Sequence, residues 1–245
     1  MPSPNRIAQL PRRRVPQNAV DLGFSRWETT QRLRSDAEYD FYLARPRDSK
    51  LASRFILKAT NARTSGSIVG AASVERDRFL GALLSPRLLP TVDFVRPRAV
   101  SATQAQRGCV VVPIFSGRTL EARLAAGETF SSATLDALFA QLASALVALH
   151  SVGWVAGELT PSRVLLADPF DRDAPPTATL LDFAAARRFE RPSLLVDAPS
   201  DVRFDADFAL PPDVFFDSNA SPERDFHSLR RFVERLKTAP KSVVQ

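Results

Sequence analysis

Two short runs collect the residues best suited to chemistry. The first is Gly157-Glu158-Leu159-Thr160-Pro161-Ser162-Arg163, followed by the apolar Val164-Leu165-Leu166; the second is Leu180-Leu181-Asp182-Phe183-Ala184. Glu158 and Asp182 are carboxylates, which can take up a proton or hold a divalent cation. Arg163, between them in sequence, can do neither: its guanidinium is permanently cationic, carries only donors and repels a metal ion. A third candidate, Lys58, follows the apolar triplet Phe55-Ile56-Leu57. With two histidines and one cysteine, the chain is not expected to build a zinc site, and no resident metal is expected. Cys109, in the run Cys109-Val110-Val111-Val112, reads as a small buried hydrophobe without a disulfide partner.

In order and spacing these residues resemble the catalytic core of the protein-kinase superfamily. That family carries H-R-D-L-x-x-x-N, whose Asp orients the substrate hydroxyl and whose Asn holds a magnesium ion, and then D-F-G, whose Asp makes the second metal contact. Here Glu158 stands where the first Asp belongs, Arg163 replaces the metal-binding Asn five residues on, and Ala184 takes the place of the Gly after Asp182-Phe183. Thr160 replaces a lysine. Lys58 matches the lysine of V-A-I-K, which in the family neutralises the α- and β-phosphates and pairs with a helix glutamate. Glu75 is the nearest acidic candidate for that pair, while counting back from Ser85-Pro86 lands on Arg76. Ile56 stands in place of the small alanine above the adenine and narrows that pocket. Downstream, Pro211-Pro212-Asp213 is similar to A-P-E, and Asp225-Phe226-His227-Ser228-Leu229 resembles the D-x-x-S-L-G start of the long buried helix of the C-lobe.

The resemblance also predicts what is missing. Read back from Phe41-Tyr42-Leu43-Ala44, the glycines of G-x-G-x-x-G fall on Arg34, Asp36 and Tyr39. Glycines let the backbone approach phosphate in conformations a Cβ forbids; an aspartate there repels phosphate and Tyr39 fills the space. Glu158 keeps a carboxylate but lengthens its arm by a methylene, and a misplacement of about 1 Å can cost on the order of 10²-fold in rate. Arg163 is expected to form a salt bridge with Asp182, occupying the metal position from within. About twenty residues follow Asp225, so the C-lobe is expected to be shortened. Arg187–Ala209 corresponds to an activation segment, with hydroxyls at Ser193 and Ser200.

Composition fits this frame. The 245 residues, 44% hydrophobic and 24% charged, can bury one good core. The net charge of +6 admits an acidic partner, but basic and aromatic residues do not interleave as nucleic-acid stacking platforms require. Residues 1–26 read as a disordered basic tail, because prolines at 2, 4, 11 and 16 spoil the amphipathic helix of a transit peptide. No window approaches ~18 uninterrupted apolar residues, so no membrane span is expected.

The elements that must position these residues follow from pattern. Glu38–Ala44 and Arg54–Lys58 read as strands, Ala71–Leu84 as a helix, and Leu88–Phe94 and Cys109–Phe115 as further strands, the last central. Ser131–His150 is the strongest helix: Leu135, Leu138, Phe139, Leu142, Leu146 and Leu149 share one face, and Gly153 ends it. Val164–Leu166 and Thr179–Leu181 are short strands around a Pro/Asp-rich loop, and Glu223–Lys237 is a last helix. Its apolar stripe (Phe226, Leu229, Phe232, Val233, Leu236) is expected to pack mostly inward and to leave an exposed remainder for docking.

The resulting expectation is an α+β, two-lobed protein-kinase-like fold over residues 27–237. The N-lobe (27–115) has a small antiparallel sheet, the C-lobe (118–237) is mostly helical and truncated, the hinge lies near Ser116-Gly117, and 238–245 form a tail. The function expected is that of a pseudokinase: a catalytically impaired, cytoplasmic regulator or scaffold that binds another protein, such as a kinase or larger assembly, with no cofactor, no membrane span and no nucleic acid. The alternative is an atypical serine/threonine kinase that transfers the γ-phosphoryl group of ATP using Lys58, Glu158 and Asp182, with magnesium.

Overall fold

The computed structural model describes residues 24, 26–49, 54–61, 63–65, 67–96, 98–99, 105–169, 174–189 and 215–238. Pro211-Pro212-Asp213, Ser193, Ser200 and nearly all of the N-terminal tail lie outside the described residues.

Strand alternation builds the first half. β1 (Trp27–Ser35), β2 (Tyr39–Pro46), β3 (Phe55–Thr60), β4 (Asp93–Val95) and β7 (Cys109–Pro113) form an antiparallel sheet in the order β1-β2-β3-β7-β4. A small hairpin of β5 (Arg98–Ala99) and β6 (Ala105–Gln106) lies between β4 and β7 in sequence. Because side chains alternate across a strand, Tyr42, Leu57 and Val111 share one face and are buried with Phe24 and Trp27. Phe41, Lys58 and Val110, also in register, share the other face. There Tyr39, Phe41 and Val110 pack on Val74 of helix α1 (Ile68–Gly81). Ser67 caps α1 by accepting from the Gly70 N–H at 3.0 Å. Cys109 is fully buried, which pushes its thiol up to about 12 and leaves it inert.

The second half is organised by α3 (Ser132–His150). Ser131 caps it, and Leu135, Leu138, Leu142, Leu146 and Leu149 bury one face as the period predicts. By length and a mean hydropathy of 1.5, α3 could also cross a membrane, but here it is the central helix of a core. Around it lie β8 (Arg118–Thr119), α2 (Leu120–Ala125), β9 (Trp154–Val155), a 3₁₀ turn at Pro161–Arg163, β10 (Val164–Ala167), β11 (Thr177–Leu180), β12 (Arg187–Arg188) and α4 (Pro222–Thr238). Gly117 connects the halves with φ 131; a Cβ there would stand 2.4 Å from the Leu166 carbonyl oxygen, so only glycine passes at this hinge.

Two readings of the strands are corrected. The strand expected over Leu88–Phe94 is only Asp93–Val95, because Leu88 and Leu89 turn to the other half: the Leu89 N–H donates to Leu180 at 3.0 Å and the Leu180 N–H to Arg87 at 2.8 Å. β1 was not anticipated, since its polar run lies on an exposed sheet edge. The stripe of α4 packs mostly inward: Leu229, Phe232 and Val233 are buried against the α3 core, while Phe226 and Leu236 are only partly buried.

Candidate functional site

The β1–β2 turn is where the sequence places Asp36 and Tyr39 in lost glycine positions. The Asp36 carboxylate accepts the N–H groups of Glu38 (2.8 Å) and Tyr39 (2.7 Å). Its negative charge therefore sits on the turn amides that a phosphate would otherwise need. From the far side, the Asn61 side-chain amide donates to the carbonyls of Asp36 and Ala37 at 3.1 and 3.0 Å, and the Thr64 hydroxyl donates to that of Glu38 at 2.8 Å. The turn is thus bonded down rather than left as an open flap. Arg34, the first of the three positions, lies over the Phe41 ring at 4.2 Å.

Below the turn, Tyr39 and Phe41 lie on the same sheet face as Lys58. Tyr39 is 1% exposed, and the Lys58 ammonium sits 4.6 Å from its ring centre and 5.8 Å from that of Phe41. The ammonium donates to Asp77 at 2.5 Å. This corrects the pairing with Glu75, which instead holds Arg78 and Arg96, each at 2.7 Å. α1 turns Asp77 toward β3 and Glu75 toward β4, a choice of face that spacing from a distant proline does not fix.

Arg76, buried beside them, joins the two halves. It donates to Glu38 at 2.6 Å and to Asp77 at 3.0 Å, reaches the Ala184 carbonyl at 3.4 Å, and lies over the Phe215 ring at 4.9 Å. Burial alone would raise the Asp77 carboxyl, but Lys58 and Arg76 hold it below its usual range. Burial likewise disfavours the Lys58 ammonium, yet Asp77, with help from Asp182, holds it above its ordinary value. Burial first, and then Asp77, push the Tyr39 phenol far up, so it stays neutral.

These shifts fix a pH dependence. Asp77, depressed in the folded state, adds stability above the unfolded carboxylate value of about 3.9 and loses it as pH falls through the folded value. Lys58, raised, adds stability below about 10.4 and loses it as pH climbs through its folded value. Urea unfolding across pH is expected to show a neutral plateau with losses at both ends, and Asp77→Asn is expected to make the acid limb shallower.

The loop after β9 carries the other candidates. Asp225, at the start of α4, accepts from the Ala156 N–H (2.7 Å), the Gly157 N–H (3.0 Å) and His150 Nε2 (2.9 Å), and so anchors the loop to the C-terminal core. Gly157, at φ 75, runs so close to Ala185 that a Cβ would stand 2.5 Å from its carbonyl oxygen. Glu158 is exposed at the loop surface. The Arg163 backbone lies beside Asp182, its carbonyl accepting from the Leu181 N–H at 2.8 Å. The Arg163 guanidinium, however, turns back to the Glu158 carbonyl at 3.0 Å, while Asp182 accepts from the Ala184 N–H at 2.9 Å. The expected Arg163–Asp182 bridge is not formed, because each group finds a partner within its own loop. Phe183 is buried in the main core.

Lys58 and Asp182 therefore share an electrostatic neighbourhood, and Glu158 and Arg163 share a loop. Asp77 and Glu38 are additions that the sequence pattern did not reveal, and Arg76, on which the count from Ser85-Pro86 lands, proves to be the residue that links the two halves. Among the described residues no cluster of three or more His, Cys, Asp or Glu could hold a metal ion. The set is a poor match to ATP with magnesium: the Tyr39 ring covers the lysine, Asp36 caps the turn amides, and an arginine stands in sequence where a metal ligand is expected.

The sequence matches no protein-family model and no curated protein sequence. By fold it is similar to the solved kinase domain of PknI from Mycobacterium tuberculosis, at 16% identity and a TM-score of 0.56, with 87% of this chain and 74% of that one covered. A single-site variant of the same domain aligns at 17% identity with the same TM-score and coverage. The likeness establishes a two-lobed, protein-kinase-like α+β fold, and at this identity it establishes the fold alone.

Proposed function

We propose that this chain is a pseudokinase, a kinase-fold protein impaired in phosphoryl transfer that works as a regulator or scaffold by binding another protein. The observation that carries this reading is the enclosure of Lys58. An ammonium that is to neutralise phosphates must face an open cleft, and this one is 5% exposed and covered by Tyr39. Supporting it, Asp36 satisfies the turn amides from within the chain. The third support is the substitution of Arg163 for a metal-binding Asn, which removes an oxygen ligand, since a guanidinium carries only donors. Glu158 and Asp182 persist as carboxylates, yet neither can act on a nucleotide that has no seat. The alternative, an atypical kinase using Lys58, Glu158 and Asp182, requires Tyr39 and the whole β1–β2 turn to move.

Thermal unfolding of the intact chain with ATP, alone and with magnesium or manganese, separates the two. A binder supplied with ligand at about 100 Kd gains about 2.7 kcal/mol; the expected result here is no shift in Tm. A metal-dependent shift that Lys58→Ala and Asp182→Ala both abolish would establish the enzyme instead.

A further inference from the structure

We infer that the outer face of α4 binds an acidic segment of a partner protein that also carries an apolar residue. This inference rests on the binding role proposed above and names the class of its partner.

α4 is divided lengthwise. Asp225, Leu229, Phe232 and Val233 are buried, whereas Arg224, His227, Arg230 and Arg231 are exposed. Many arginines elsewhere are paired: Arg32 and Arg107 hold Asp40, Arg45 holds Glu28, and Arg78 and Arg96 hold Glu75, while Arg54, Arg63 and Arg87 stand singly rather than grouped on one helix. On α4, Arg224, Arg230 and Arg231 make no side-chain hydrogen bond or ion pair among the described residues. Arg224 lies in the first turn, where the helix dipole disfavours a cation, and with Glu223 and Glu234 also exposed the outer face of α4 keeps an excess of positive charge.

The layout indicates what the face fits. At 3.6 residues per turn, Arg224 and Arg231 lie on one line, about 10 Å apart along the axis. That span suits carboxylates two turns apart on a facing helix, or three residues apart on an extended chain. Beside Arg230 on the helix surface is Phe226, only partly buried, which offers an apolar contact at the rim of the basic strip. Nucleic acid would match the charge, but successive bases stack on a row of rings, and this face offers one partly buried ring, Phe226, in edge contact with His150 at 5.4 Å between ring centres. A protein segment uses both the arginines and the apolar rim.

The test is to pan an unbiased display library of peptides about 16 residues long, about four helical turns, on the intact chain. The enriched peptides are then titrated by fluorescence anisotropy at about 0.15 M salt. Enrichment of sequences rich in Asp and Glu with at least one large apolar residue is expected. Reversing the charge (Arg224→Glu, Arg230→Glu, Arg231→Glu together) is expected to weaken them at least about tenfold with an unchanged Tm, and the corresponding triple change to Lys to retain most of the affinity. Neutral or basic winners, or winners indifferent to the charge reversal, would overturn the inference. So would a short DNA duplex or phosphatidylserine vesicles that bind through the same arginines more tightly than any winner. None of these results touches the reading of the cleft, which fails separately, through a nucleotide-dependent shift in Tm.

Discussion

Arg76→Met lowers the free energy of unfolding by about 3–5 kcal/mol, the cost of removing one partner from a buried ionic network. The arginine side chain has no exposed surface, and the change strands Glu38 and exposes Asp77 to a single cation, Lys58. It also removes the contacts with Ala184 and Phe215 that tie α1 to the second half of the fold. Equilibrium urea unfolding measures the loss. Arg78→Met is the control: Arg78 is partly exposed and pairs with Glu75, which keeps Arg96, so that change is expected to cost under about 1 kcal/mol. Equal losses in the two variants would show that Arg76 is not the link between the lobes.

Asp225→Ala is the second large effect. Three donors converge on this carboxylate, and two of them are backbone amides, of Ala156 and Gly157, with no other acceptor among the described residues. A buried amide left unpaired costs about 1–3 kcal/mol, so the variant is expected to lose about 2–5 kcal/mol. Asp225→Asn keeps one acceptor oxygen and is expected to lose less. Hydrogen exchange distinguishes this local role from general unfolding: the amides of Ala156 and Gly157 are expected to lose protection well before those of α3. Uniform loss across both elements would assign Asp225 to the core rather than to the loop.

The residues differ in how legibly the sequence announces their positions. α3 was readable because six apolar residues on a 3.6-residue period leave one way to bury it, and β7 because an unbroken apolar run suits an interior strand. β1 was hidden by its own polarity: five of its nine residues are exposed. At the site, Tyr39 was legible as an obstruction, since a large ring in a glycine position has few places to go. The partner of Lys58 was not. Glu75, Arg76 and Asp77 are consecutive buried charges on one helix, so no hydrophobic period says which of them faces the sheet. The Arg163–Asp182 bridge failed for a related reason. A long guanidinium two short loops away has local carbonyls within reach, and pairing inside its own loop needs no desolvation of a second charge.

The role of the β1–β2 turn follows from the same competition between local and distant partners. Asp36 reaches two amides in its own turn, and Asn61 and Thr64 bond the turn's carbonyls from below. A turn held on both sides lacks the spare donors that bind an anion, and it carries Tyr39 down onto Lys58.

Co-crystals of the intact chain with a non-hydrolysable ATP analogue and magnesium test the closed cleft most directly. No nucleotide density is expected, with the Tyr39 ring still over the Lys58 ammonium and Asp36 still on the amides of Glu38 and Tyr39. An ordered triphosphate in contact with Lys58, with a metal ion between it and Asp182, would contradict that expectation.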